Sequence, residues 1–246
     1  MSALDKVQLA IYLTLSFPTI YILIRHGRPG ILGWFYILAF CSLRIVGGAL
    51  SISADNSGTP STTAATISSI GLSPLLIGIS GILHEANAKL RAAREWPIIA
   101  CYHFIVITGL ALIVCGSSAF KGGAVSSGTL ALLKVGIIVL LLAWVVLIIW
   151  GLFSLLLSQR TKDTPGFSGG TMLLYAVLFS LPFASIRVLY SVLAIVAPSK
   201  NLNLMSENMG LKIGLSFIPE LIAVLGFVFV GLATHNLRKT TKGVVK

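Results

Sequence analysis

Charge is scarce in this chain: charged residues make up 10% of its 246, against about 25% in an ordinary soluble domain. With 56% hydrophobic residues and a mean hydropathy of +0.97, lipid is its solvent rather than water. Acidic residues are the rarer sign, 7 against 18 Lys and Arg. The resulting charge of +11 does not point to nucleic acid, because the basic residues fall in short gaps between apolar runs and not on a stripe interleaved with aromatics. Three cysteines, Cys41, Cys101 and Cys115, all lie inside apolar runs, an odd number that offers neither a disulfide framework nor metal-ligand spacing. Also missing are H-E-x-x-H, a glycine-rich phosphate loop, a G-x-S-x-G elbow and an aspartate-rich pair for magnesium and a diphosphate. The last apolar run lacks a lysine that could carry retinal, which disfavours a rhodopsin.

What is present is a set of seven apolar runs, approximately 7–24, 30–52, 64–86, 97–119, 130–157, 170–196 and 213–232. About 20 apolar residues in an α-helix cross the hydrocarbon core with every backbone group satisfied internally. The expected fold is an all-α integral membrane protein, a single seven-helix domain over residues 1–246. The first run could pass for a signal peptide, but it lacks a small-residue cleavage site and is followed by more runs of its kind. Gaps one, three and five and the C-terminal tail hold Arg25, Arg28, Lys89, Arg91, Arg94, Arg160, Lys162, Arg238, Lys239, Lys242 and Lys246. The other side holds Lys6, Lys121, Lys200 and Lys212. This asymmetry predicts a cytosolic C-terminus and a lumenal or exterior N-terminus.

Three basic residues, Arg44, Lys134 and Arg187, fall inside the runs. A charge near the centre of a lone helix costs about 2.5 to 3.5 kcal/mol on insertion scales, so such a residue normally faces the bundle interior with a partner. Lys134 is close enough to the end of its helix to snorkel. At 1.5 Å per residue, Arg44 and Arg187 lie roughly 12 and 14 Å below the lumenal ends of their helices, and Glu220 about 10 Å down from the same side. Three charges from three helices therefore share a layer. Pro219, beside Glu220, removes a backbone donor and frees a carbonyl near Leu215. Two readings stand: a polar cavity, or an Arg–Glu tie that pins helices together.

On the sixth run Phe179, Phe183, Arg187 and Tyr190 recur at helical spacing and are expected to project from one face. Phe40, Arg44, Gly47 and Ser51 repeat the arrangement on the second. Phe40, Phe179, Phe183 and Phe217 are the candidate lining. Toward the cytosolic side His84 and Glu85 end the third run, and His103 is about 9 Å into the fourth. Glu85 and His103 could meet, or Glu85 could answer Lys89 one turn later. Gly71, Gly78 and Gly81 mark tight helix packing.

Four stretches carry a resemblance: LRIVGGAL at 43–50, ISSIGLSPLL at 67–76, LHE at 83–85 and SLPFASIRVLYSVL at 180–193. Together they resemble a fungal seven-helix membrane family that includes the membrane-bound terpene cyclases of ascofuranone-type meroterpenoid pathways. The resemblance implies an endoplasmic-reticulum isomerase of secondary metabolism, acting on a lipid-like prenylated phenol. Its reaction would be protonation of a terminal epoxide, carbocation cyclisation, and quenching by a hydroxyl or by proton loss. That chemistry uses no metal or cofactor. It needs a carboxylic acid kept protonated, aromatic faces for cations and exclusion of water.

The candidate catalytic residues are Glu220, Arg187, Arg44, Tyr190, Glu85, His103 and Asp55. An arginine against Glu220 would favour its ionised form and leave it a poor acid. The proton donor would then be Asp55 or Glu207 at the lumenal mouth, or Glu85 with His103. The competing class is a small-molecule or proton-coupled transporter with the same charges as its binding site.

Overall fold

The computed structural model describes residues 3–27, 30–57, 70–91, 96–120, 127–158, 167–196, 210 and 213–234. These residues form seven α-helices and no strand: α1 (Ala3–His26), α2 (Ile31–Ser57), α3 (Leu72–Arg91), α4 (Trp96–Phe120), α5 (Ser127–Ser158), α6 (Phe167–Val196) and α7 (Ile218–Thr234). A π-helical turn, Ile213–Phe217, leads into α7. It lies where Pro219, lacking an N–H, leaves a carbonyl of the preceding turn without its helical partner.

Six of the helices are long and apolar enough to cross a membrane: α1, α2, α4, α5, α6, and the π turn with α7. Their outward faces carry large apolar side chains, Phe17, Ile24, Phe104 and Phe229 each being more than two-thirds exposed, a surface suited to acyl chains. The protein is a helical membrane bundle. The third expected span departs from the pattern of its neighbours. Residues 64–69 of it lie outside the described residues, and α3 carries Ser73, Ser80, His84, Glu85 and Asn87, all buried. A helix enclosed by other helices meets protein on every side, so its polar groups find partners and its composition need not match lipid.

α3 is that enclosed helix, packed against α2, α4, α5 and α6. Its approach to α2 is set by glycine. A Cβ on Gly81 would lie 2.5 Å from the Gly33 backbone nitrogen, and one on Gly33 would lie 2.7 Å from that of Ile82. The two backbones touch, as small residues permit in membrane helices. Gly78 likewise receives Ile37. Gly71 differs from these glycines, because a Cβ on it would lie 3.5 Å from the Arg44 guanidinium, an ordinary contact. Asn87 Nδ2 donates to Ser154 Oγ at 3.0 Å, tying α3 to α5.

α1 and α2 form a hairpin whose turn is fixed by Gly27, at φ 68°, the left-handed conformation that ends helices at glycine. Its carbonyl accepts from the Gly30 and Ile31 amides, both at 3.1 Å. The hairpin brings Leu9 of α1 against Gly48 of α2. Lys134, seven residues into α5, is exposed, as a snorkelling lysine should be.

Candidate functional site

Arg44 from α2, Arg187 from α6 and Glu220 from the first turn of α7 converge inside the bundle, each no more than 4% exposed. Both guanidiniums reach the same carboxylate oxygen. Arg187 Nε donates to Glu220 Oε1 at 2.6 Å, and Arg44 Nη2 donates to that same atom. Glu220 Oε2 has no hydrogen-bond partner among the described residues. Among the described residues the layer thus joins two arginines to one carboxylate, with one acceptor oxygen left open.

Local sequence explains how the arginines are held. Arg187 Nη1 donates to Ser191 Oγ, one turn along α6, and the guanidinium lies 5.8 Å from the Tyr190 ring centre. Arg44 sits 5.4 Å from the ring of Phe40, one turn before it in α2. Both distances are within cation–π reach. A Cβ at position 71 would stand at ordinary contact distance from the Arg44 guanidinium, so the chain just before α3 lies beside the charge.

α1 adds a residue that the sequence reading did not include. Tyr12 is fully buried, with its ring edge-on to Phe40 at 5.6 Å and to Phe217 at 6.1 Å. It stands within electrostatic reach of Glu220, Arg44 and Arg187. Its hydroxyl has no hydrogen-bond partner among the described residues. Tyr12 is one tyrosine in a plain apolar run, and only the packing of α1 on α2 and α7 reveals it.

A second buried carboxylate is placed differently. Glu85 of α3 has both oxygens engaged: Oε1 with His26 Nδ1 at 2.6 Å and Lys89 Nζ at 2.8 Å, Oε2 with Trp34 Nε1 at 3.0 Å. His26 Nε2 meets the Gly231 carbonyl of α7 at 3.1 Å. Four helices are tied through one carboxylate. Trp34 and Arg44 are ten residues apart on α2, so the two clusters are separated by roughly 15 Å along the helix.

The other sequence candidates divide between these places and the surface. Glu85 does not engage His103; its partners are His26, Lys89 and Trp34. His103 instead meets Ser80 Oγ at 3.2 Å and the Tyr36 ring. Phe179 does not line the charged layer, being 52% exposed and bordering an outward groove with Tyr175, Gly226 and Phe229. The reason is helical drift: a four-residue step overshoots a full turn by about 40°, so two steps back from Arg187 lie about 80° round the helix. Phe183, one step away, is half-buried and packs on Phe179 at 5.1 Å. Phe40 and Tyr190 are buried at the arginines, and half-buried Phe217 packs on Tyr12. The side chain of Asp55, and Glu207, lie outside the described residues.

The fold and this layer define a class: a polytopic helical membrane protein with arginine and glutamate side chains paired inside its bundle. The chain belongs to the DUF7702 family, a domain of unknown function, whose model matches residues 3–237. No curated protein and no solved structure matches it.

Proposed function

We propose that this protein is a membrane-bound terpene cyclase that isomerises a prenylated phenol bearing a terminal epoxide. The observation that carries the reading is Glu220, a buried carboxylate with one oxygen fixed by two arginines and the other open, amid Tyr12, Phe40, Tyr190 and Phe217. Protonation of the epoxide oxygen breaks a C–O bond, alkene electron pairs close the rings, and the last cation is quenched by a hydroxyl or by loss of a proton. The product has the mass of the substrate, and no cofactor is consumed.

A carboxylate with one oxygen open is placed to accept the final proton. In this reading the first proton comes from Asp55, in the last turn of α2, or from Glu207, both assigned by the sequence to the same side as the layer. The substrate is lipid-like, which accounts for a site enclosed in a bundle, and the proposed location is the endoplasmic reticulum with a cytosolic C-terminus. Microsomes holding the protein should convert an epoxyfarnesyl phenol into a cyclic isomer of identical mass. No isomer across several such substrates would refute the proposal.

One observation favours a second reading, a transporter of anions: among the described residues, two arginines and one carboxylate meet in the layer. Saturable uptake of a small organic anion into proteoliposomes, with no isomer formed in microsomes, would select it.

A further inference from the structure

The charged layer carries more chemical information than its net charge, because two of its oxygen atoms lack a hydrogen-bond partner among the described residues and their requirements differ. Glu220 Oε2 and Tyr12 Oη belong to side chains 1% and 0% exposed, and neither has a hydrogen-bond partner among the described residues. Leaving such an atom bare inside a protein costs about 1 to 3 kcal/mol, and most native examples have a reason. An ionised carboxylate oxygen only accepts, so it requires a donor. A phenol can donate as well as accept.

We propose that Tyr12 and Glu220 together form a binding site for the hydroxyl group of an apolar, prenylated phenol, the hydroxyl donating to Glu220 Oε2 and accepting from Tyr12 Oη. An ether or carbonyl fails this test, since it accepts only and leaves the carboxylate bare. An ionised carboxylate or phosphate likewise only accepts, so neither supplies the donor that Glu220 Oε2 lacks. The rest of the ligand meets aromatic surface, because the rings that border Tyr12 are Phe40 and Phe217. The hydroxylated head thus sits at the arginine layer, which places the epoxide at the far end of the prenyl tail, away from Glu220. The choice of a prenylated phenol, and so of an O–H, rests on the cyclase reading; the demand for a hydrogen-bond donor rests on the two atoms alone.

The test is equilibrium binding to the full-length protein in phosphatidylcholine nanodiscs. The probe is tritiated farnesylphenol, which has no epoxide and cannot react. Its methyl ether and farnesoic acid serve as competitors. Saturable phenol binding is expected, with the ether weaker by about tenfold or more, as befits loss of a hydrogen bond to a charged group, and the acid weaker still. Tyr12→Phe should lower phenol affinity about fivefold and narrow the gap between phenol and ether.

Absence of saturable phenol binding, an ether that competes equally, as it would if water alone met the two atoms, or an acid that competes best would each overturn the hydroxyl site. So would an unchanged gap in folded Tyr12→Phe. The wild-type preference alone decides the matter if that variant does not fold. The preference without any isomer from the epoxide keeps the hydroxyl site and removes the cyclase. An isomer without the preference does the reverse.

Discussion

Glu85 and Glu220 are both buried carboxylates on helices of one bundle, roughly 15 Å apart along α2, yet their surroundings have opposite logic. Glu85 is supplied with donors on both oxygens, from His26 and Lys89 on one and Trp34 on the other. Glu220 receives two guanidiniums on one oxygen and none on the other. A polar network with every member satisfied makes its part of the bundle rigid and leaves no atom for a ligand. A network with an open acceptor beside an open phenol is organised for something else. Both carboxylates are buried, so burial does not tell the two sites apart; the unfilled hydrogen-bonding capacity of Glu220 among the described residues does.

The largest effect that can break this comparison comes from removing a partner. Glu220→Ala removes the carboxylate that Arg44 and Arg187 share in the interior, which should cost about 3 to 5 kcal/mol and appear as a collapse of heat stability and yield in detergent. A variant as stable as the wild type would show that the remaining contacts of the arginines suffice. A smaller effect is expected at the satisfied end. Trp34→Phe removes the donor to Glu85 Oε2 and should cost about 1.5 to 3 kcal/mol, the range for hydrogen bonds to charged groups, with turnover per folded molecule unchanged. The smallest change sharpens the contrast most. Tyr12→Phe deletes a buried hydroxyl that has no partner among the described residues, so heat stability should hold or rise by up to about 1 kcal/mol. A marked loss would mean that this hydroxyl is part of the scaffold.

Much of this arrangement was legible in the amino-acid sequence because lipid imposes a simple code. Apolar length places the helices, and depth along each helix put Arg44, Arg187 and Glu220 in one layer, where the ion pairs join them. Depth is one coordinate; azimuth is another, and a single helix does not supply it reliably. Phe179 is at a spacing that looks aligned with Arg187 but has drifted outward by two steps of about 40°. Partners across helices were less accessible still. Glu85 and His103 are close in depth on successive helices, yet Glu85 turns to His26, a residue read only as part of a gap. Tyr12 carried no signal, since its role depends on α1 lying against α2 and α7. The unusual composition of α3 was visible, but its meaning, a helix enclosed by others, required the packing.

The most direct test of the central claim is the rate of cyclic-isomer formation from an epoxyfarnesyl phenol by microsomes holding Glu220→Gln or Glu85→Gln, each normalised to folded protein. The account predicts that Glu220→Gln loses turnover by about a hundredfold or more, the scale of a lost general base, while Glu85→Gln turns over at the wild-type rate in whatever fraction folds. Equal turnover by the two folded variants would contradict it.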